Sequence, residues 1–290
     1  MEILFFCPRW GSEDMPWDEF CKKVKAAGYD GIEYAIARDV KDSELTNAWV
    51  SAQNYGLQIL PQHFDTREAD FEEHYRSFEA WLKRIHPLPH VRINSQTGKD
   101  FFTFDQNRRL IELGNAYQVV HETHRGKFSF AAHITRPFLE QIPDLRLTLD
   151  ISHWVNTAES LLEDQAEAVS LAIAKTDHIH ARVGYAEGPQ VTDPRSLTWQ
   201  VELYRHLGWW DAVFLQKARS GERLTITPEF GPFPYMVHLP KDGSPPIANQ
   251  WTCNYYMMKL LKGRYNTLLS NQSRYGHEPA TLAAGRQGTS

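Results

Sequence analysis

Four residues of the kinds that bind metal ions end or follow apolar, strand-like segments of this sequence. They are Glu122, Asp150, His180 and Glu229. Three carboxylates and one imidazole form a donor set dominated by hard oxygen atoms, which suits Mn²⁺, Mg²⁺ or Co²⁺ and also accommodates Zn²⁺. One such residue at a strand end is usually a salt-bridge partner, a helix cap or a hydrogen-bonded wall residue. Four of them in equivalent places favour one shared metal site.

The clearest of these segments spans residues 145–154, Leu-Arg-Leu-Thr-Leu-Asp-Ile-Ser-His-Trp. Its first five residues have the pattern of a strand buried in a parallel sheet. Asp150 follows at once and His153 comes three residues later. Because a carboxylate and an imidazole are costly to bury without partners, this strand end is expected to face a cleft or a metal ion.

The elements that would position these residues alternate between strand-like and helix-like segments along the chain. Eight strands are predicted, at 2–7, 31–36, 57–63, 90–94, 118–121, 145–149, 177–183 and 224–228. Helices are predicted between and after them, at 17–27, 43–55, 68–85, 104–115, 136–141, 158–174, 196–220 and 250–261. Eight repeats of strand and helix with short connections predict an α/β fold, a single-domain (β/α)₈ TIM barrel. In such a barrel the carboxyl ends of all strands lie on one face, where the chemistry takes place.

Length and composition agree with one barrel and exclude several classes of partner. The chain has 290 residues, 42% of them hydrophobic, and a formal net charge of −5 with no basic cluster. These values argue against a nucleic-acid surface and against a membrane as the main partner. With no signal peptide and no spanning segment, the protein is predicted to be cytoplasmic. We assign residues 1–265 to the barrel and residues 266–290, rich in Gly, Ser, Asn and Gln, to a loose or disordered tail.

Several further polar residues near the strand ends are candidates for the site. His63 ends the third strand and is a candidate for contact with the substrate. His153 either donates to a developing oxyanion or supports a ligand carboxylate. His124 is either an additional acid or base or a solvent-facing loop residue. Arg182 either orients a substrate oxygen or pairs with a nearby carboxylate.

Aromatic residues also follow the strand ends. Trp10 and Trp154 are candidates for stacking on the C–H face of a sugar ring, as are Phe64 and Phe230, with packing in the core as the alternative. The pair Trp209 and Trp210 is a candidate contact for a homo-oligomer, again with core packing as the alternative.

The motifs together resemble the xylose-isomerase-like barrel superfamily, which holds sugar isomerases and epimerases, inosose dehydratases and enzymes of the endonuclease IV type. The resemblance covers roughly residues 1–261. It depends on Val-His-Glu-Thr-His at 120–124, Leu-Asp-Ile-Ser-His at 149–153, His-Ile-His at 178–180 and Thr-Pro-Glu-Phe-Gly at 227–231. It implies that the four residues named first bind one divalent cation and that His153 touches a substrate oxygen.

This sequence departs from the patterns of the superfamily in two places. The sequence after His180 lacks the Asp-x-His pair that the three-metal endonucleases need. Ketose 3-epimerases of the group usually have a Glu six residues after the first metal-binding Glu and an Arg six residues after the metal-binding His, whereas this chain has Phe128 and Ala186.

The predicted activity is that of a divalent-metal-dependent sugar isomerase or epimerase with a small carbohydrate as substrate. A bound cation would stabilise an enediolate, while Glu122 and Glu229 act as base and acid and His153 assists. The same residues would also serve a lyase or dehydratase acting on a keto-sugar, a keto-glycoside or an inosose. The alternative from another class is a sugar-binding subunit without turnover.

Overall fold

The computed structural model describes residues 1–236 and 248–275 of the chain. Within these ranges, eight parallel strands pair in chain order, and the last pairs with the first to close a barrel. The strands are β1 (Ile3–Pro8), β2 (Gly31–Ala35), β3 (Gln58–His63), β4 (Ile93–Ser95), β5 (Val119–Glu122), β6 (Leu147–Leu149), β7 (Thr176–His180) and β8 (Leu224–Thr227). The predicted single (β/α)₈ TIM barrel is therefore confirmed.

Helices surround the barrel and connect its strands. They are α1 (Trp17–Ala27), α2 (Asp42–Asn54), α3 (Phe71–Ile85), α4 (Phe104–Asn115), α5 (Ala132–Gln141), α6 (Ile151–Ala158), α7 (Ala166–Ala174), α8 (Gln200–Ser220) and α9 (Gln250–Tyr275), with a short 3₁₀ helix at Leu197–Trp199. Local signals fix several of their ends. Thr103 and Gln106 form a reciprocal capping box at the start of α4, and Gly28 ends α1 with a φ of 88°.

The single helix predicted over residues 158–174 is wrong, because the structure has two. Asp150 caps α6 through a hydrogen bond that its side chain accepts from the backbone N–H of Ser152, at 3.2 Å. The helix therefore begins directly after β6. It ends at Glu159, which has a φ of 48°, and the chain turns again at Leu162 before α7 begins.

The last helix is longer than predicted. It was expected to end at residue 261, but α9 continues to Tyr275 and so includes the first residues of the segment assigned to the tail. Residues 276–290, the rest of that segment, lie outside the described part of the chain. The domain boundary at residue 265 stays a prediction.

The barrel interior is apolar at one end and polar at the other. Leu4, Phe6 and Leu60 form a small buried cluster among the strands. Because alternate residues of a strand face the same side, the interior positions nearer the carboxyl ends include Glu33, Gln62 and Asn94. All three are buried and hydrogen-bonded to side chains of other strands.

Most aromatic residues pack between the barrel and its helices. Trp210 is fully buried and Trp209 is 6% exposed, so core packing accounts for both, and they offer no surface for oligomer contact. Of the helices that the structure describes, none combines the length and the hydropathy needed to cross a bilayer.

Candidate metal centre

Four predicted ligands from four consecutive strands meet at the carboxyl end of the barrel. Each of Glu122, Asp150, His180 and Glu229 offers one ligand atom, and these atoms all lie within 4.8 Å of one another. Glu122 and His180 are the last residues of β5 and β7, while Asp150 and Glu229 follow β6 and β8. All four side chains are buried. The arrangement is compatible with one divalent cation held by three carboxylates and one imidazole.

His180 provides the test of whether such a cation fits. Its Nε2 lies 3.0 Å from Oε1 of Glu33, and its Nδ1 lies 3.0 Å from Oε2 of Glu229. Among the described residues Nδ1 forms no hydrogen bond of good geometry, although Glu229 lies within ion-pair distance. An imidazole nitrogen that points at several carboxylates in this way fits the role of a metal ligand.

Asp150 has partners for both of its carboxylate oxygens. Oδ1 accepts hydrogen bonds from the backbone N–H of Ser152 at 3.2 Å and from the hydroxyl of the same residue at 2.5 Å. Oδ2 forms a short ion pair with the guanidinium of Arg182. The structure therefore shows the alternative in which Arg182 pairs with a carboxylate, and a cation would have to share Oδ2 with this arginine or displace it.

The buried charges change one another's protonation. Burial alone would lower the pKa of His180, but the carboxylates of Glu229, Glu33 and Glu122 raise it well above its usual value. Burial would raise the pKa of Glu122, yet His180 brings it down to about 2. For Glu229 burial prevails over the attraction of His180, and its pKa is raised. The site thus holds concentrated negative charge that His180 and Arg182 compensate.

Amide side chains hold the two glutamates in place. The Nε2 of Gln62 donates to Glu122 at 3.2 Å and to Glu229 at 3.4 Å. The Nδ2 of Asn94 donates to Glu122 at 3.2 Å and to Glu33 at 3.0 Å. Sequence reasoning missed Glu33, Gln62 and Asn94. The available signal was a charged or amide side chain within a short predicted strand.

Several of the predicted residues beyond the four ligands lie at or next to the cavity above the site. Arg182, His124 and Trp10 border the cavity above the site, which has a volume of 710 Å³. His153 is fully buried beside them, with its Nε2 2.8 Å from Nη2 of Arg182 and 3.6 Å from Oδ2 of Asp150. It thus lies beside the ligand carboxylate of Asp150 without a direct hydrogen bond to it, and both roles suggested for His153 stay predictions. Burial, with the charges of His124 and Arg182, lowers its pKa well below the usual value, so its imidazole is neutral.

A second arginine completes this cluster. Arg125 donates from Nε to Nδ1 of His153 at 3.1 Å and from Nη2 to the hydroxyl of Tyr235 at 3.3 Å. The ring of His124 lies 4.1 Å from that of His153. His124 is thus half-buried in the loop after β5, with its ring packed against the cluster.

The structure does not bring His63 and Trp154 to the cavity. The imidazole of His63 is hydrogen-bonded on both sides, to the hydroxyls of Ser95 at 2.9 Å and Thr66 at 2.7 Å. Trp154 is fully buried and donates its indole N–H to the carbonyl of Ser129 at 2.8 Å. Phe230 is fully buried as well. The geometry gives these residues packing roles, in place of the predicted contact with substrate.

No family model and no curated protein matches this sequence. Among solved structures, the chain is similar to the cellulase Cel5C_n, with 10% identity over 91% of this chain and 86% of that chain and a TM-score of 0.49. It is similar to an endocellulase from Pyrococcus horikoshii, with 10% identity over 92% of this chain and 90% of that chain and a TM-score of 0.45. A truncated 3-deoxy-D-arabino-heptulosonate 7-phosphate synthase from Thermotoga maritima has 12% identity over 76% of this chain and 87% of that chain, with a TM-score of 0.35. Similarity at this level carries no argument about the reaction, and the resemblance to the xylose-isomerase-like superfamily stays a prediction.

Proposed function

We propose that this protein is a divalent-metal-dependent sugar isomerase or epimerase. The observation that carries the proposal is the convergence of Nδ1 of His180 with the carboxylates of Glu122, Asp150 and Glu229, with all ligand atoms within 4.8 Å of one another. The donor set favours Mn²⁺, Mg²⁺ or Co²⁺, with Zn²⁺ also compatible. The cation would polarise a substrate carbonyl and stabilise the negative charge that develops when the adjacent carbon loses its proton.

Glu122 and Glu229 are the residues suited to move that proton. Both border the cavity, so both can reach a bound sugar, and they come from β5 and β8, which are not neighbouring strands. Gln62 donates to one oxygen of each and fixes their relative positions. In an epimerase one carboxylate takes the proton from one face of the carbon, and the other delivers a proton to the opposite face. In an isomerase the same carboxylate returns the proton to the neighbouring carbon. General acid–base catalysis of this kind contributes about 10²–10⁴-fold to the rate.

Arg182 contacts a ligand of the metal centre and is also positioned to bind the substrate. Its guanidinium borders the cavity while it pairs with Asp150 and contacts Ser152, at 3.3 Å from Nε to Oγ. Because a guanidinium carries five N–H donors, others stay free for a substrate hydroxyl or carbonyl oxygen. The buried His153 packs against this side chain, with its Nε2 2.8 Å from Nη2 of Arg182.

A lyase acting on a keto-sugar is the second candidate. The observation that favours it is His124, a side chain on the cavity wall that could act as a further base, so that Glu229, whose pKa is raised by burial, could protonate a departing group. In that case the carbanion formed by loss of the proton would expel a group from the next carbon instead of being reprotonated.

The test combines metal analysis with deuterium exchange. The purified protein is analysed for bound metals, reloaded with the ion found, and incubated with a panel of ketoses and aldoses in D₂O. An isomerase or epimerase returns sugars of unchanged composition that carry deuterium on carbon, whereas loss of water or of a substituent identifies the lyase. Protein that exchanges equally well after chelation contradicts the metal-dependent proposal.

Variants test the roles of the carboxylates. Glu122→Gln and Glu229→Gln are each expected to slow exchange by about 10²-fold or more. Glu187→Gln, which changes an exposed carboxylate in the loop after β7, is the matched control and keeps the wild-type rate. Exchange that is unchanged in Glu229→Gln would rule out catalysis by Glu229. A complete absence of turnover in the wild-type protein, with sugars still bound, would favour the sugar-binding subunit.

A further inference from the structure

The cavity above the metal centre continues past the space that a sugar at the carboxylates would fill. Its floor is polar and consists of strand-end residues, among them Gln62, Gln96, Glu122, Arg182 and Glu229. From there it extends over the loops that follow β1, β2 and β3. We call this extension the aromatic arm, and define it by the residues Trp10, Tyr34, Ala37, Val40, Phe64 and Tyr235. The whole cavity of 710 Å³ falls in the range of about 300–1,000 Å³ that holds drug-sized ligands, which are larger than one monosaccharide.

Among the described residues, the inner walls of the aromatic arm, as distinct from its charged rim, offer little to the hydroxyl groups of a second sugar. Its walls are rings and methyl groups, and the hydroxyl of Tyr34 already donates to Glu44 at 3.2 Å. A sugar hydroxyl desolvated there would lose its hydrogen bonds to water without gaining equivalent ones. An apolar or aromatic group would instead gain from the transfer out of water.

The largest ring of the arm packs against backbone, and the backbone of its own residue is held by a hydrogen bond. A Cβ atom at Gly231 would lie 2.3 Å from Cη2 of Trp10, so only glycine allows the backbone after β8 to pack against the indole. The carbonyl of Trp10 accepts a hydrogen bond from Nε2 of Gln250, at the start of α9, at 2.8 Å. A ring held in this way loses little conformational freedom when a ligand stacks on it.

Tyr235 joins the arm to the polar floor. Its ring stands edge-on to that of Trp10 at 5.4 Å between centroids, and the guanidinium carbon of Arg182 lies 4.9 Å from its centroid. One side chain thus contacts both the arginine of the metal centre and the aromatic platform. A ligand in the arm would therefore be continuous with a sugar at the carboxylates.

The charges at the rim exclude an anionic substituent. Of the residues that the structure describes around the arm, three are carboxylates, Glu13, Asp39 and Glu44, and one carries an ammonium group, Lys41. A phosphate or carboxylate there would meet net negative charge, in addition to the carboxylates of the floor. The rim charge thus disfavours an anion, and the rings and methyl groups of the walls favour an uncharged, apolar occupant.

We propose that the substrate is a sugar that carries an apolar or aromatic substituent, as in an aryl glycoside, with the substituent bound in the aromatic arm. The inference rests on the proposed function, because it takes the sugar to be bound at the metal centre. When the substituent occupies the anomeric carbon, that carbon is blocked, so the reaction is epimerisation or elimination beside a ketone elsewhere on the ring.

The test compares ligands that differ only in the substituent. Binding of phenyl and methyl β-glycosides of glucose, galactose and xylose to the full chain in the presence of Mn²⁺ is measured by titration calorimetry. For at least one pair, the phenyl glycoside is expected to bind about tenfold more tightly than the methyl glycoside. In Phe64→Ala this preference is expected to fall to about threefold or less. Phe101→Ala, which removes a ring that is 63% exposed and lies outside the cavity lining, keeps the preference and is the matched control.

Two results overturn the assignment: equal binding within every pair, or no binding of any glycoside at millimolar concentration. A preference for phenyl that survives intact in Phe64→Ala places the substituent elsewhere and also overturns it. The proposed function is judged separately, by metal-dependent deuterium exchange in the wild-type protein, so each hypothesis can fail without the other.

Discussion

Nε2 of His180 lies 3.0 Å from Oε1 of Glu33, on the side of the ring opposite the nitrogen that faces Glu122 and Glu229. Glu33 is itself fixed by Asn94, which donates to it at 3.0 Å, and by His178, whose Nε2 lies 3.3 Å away. A metal-binding histidine usually donates its second ring N–H to a carboxylate, which sets its tautomer and its orientation. Glu33 is placed to do this for His180.

Glu33→Gln is expected to lower the affinity for Mn²⁺ by about 10–100-fold, because the neutral amide orients the imidazole less strongly and makes it less basic. Titration calorimetry on the metal-depleted protein measures the change. Glu19→Gln, on the exposed side of α1, serves as the control. If Glu33→Gln binds Mn²⁺ as tightly as the wild type and remains folded, Glu33 does not position His180.

Trp154→Phe is expected to reduce stability without affecting binding. The substitution leaves the buried carbonyl of Ser129 without its donor, which costs about 1–3 kcal/mol in the free energy of unfolding. Denaturant unfolding measures this loss. Trp199→Phe removes a comparable hydrogen bond, from the indole to Thr192, at a half-buried position where water can replace it, and should cost less. A rise in KM for the sugar substrate in Trp154→Phe, with stability unchanged, would restore the role in substrate contact that the sequence suggested.

Asp177→Asn is expected to reduce stability in a pH-dependent way. Burial alone would raise the pKa of Asp177, but Arg92 and Lys217, at 3.0 and 2.5 Å from its oxygens, lower it below the usual value. A carboxylate with a lowered pKa stabilises the folded chain above its unfolded pKa, about 3.9, and this contribution is lost as the pH falls through the folded value. The wild type should therefore exceed Asp177→Asn by about 1–3 kcal/mol at pH 7 and by less at pH 3.

Urea unfolding of the wild type and Asp177→Asn at both pH values measures this difference. Asp164→Asn, at an exposed carboxylate after α6, is expected to change stability little at either pH. A difference between wild type and Asp177→Asn that does not shrink on acidification would show that the two ion pairs are not its source.

The four candidate ligands could be predicted because each follows a local sequence pattern, and the barrel fold places the ends of its strands close together. A run of apolar residues followed by Glu122 or Asp150 identifies a strand end, and a closed parallel barrel brings such ends together. Glu33, Gln62 and Asn94 could not be predicted in this way. They lie within short strands, where one polar residue does not indicate whether it faces the barrel interior or the helices.

Trp154 shows how an element boundary affects the prediction of a site. With a helix expected from residue 158, Trp154 lay in a loop after β6, where it could face the cavity. Because α6 begins at Ile151, Trp154 is instead in the first turn of a helix, and its side chain enters the core. Trp10 also follows a strand end, but no helix intervenes before residue 17, and its ring remains at the cavity.

The ion pair between Arg182 and Asp150 has a consequence for which ions the centre can select. The guanidinium of Arg182 places one positive charge among the carboxylates. The site can therefore fold without a bound metal ion. Na⁺ or K⁺ carries the same charge as this arginine. Replacing the arginine at Asp150 by either ion would therefore gain little electrostatic energy. A divalent ion carries twice the charge of the guanidinium, so the pairing of Arg182 with Asp150 favours divalent over monovalent cations at this centre.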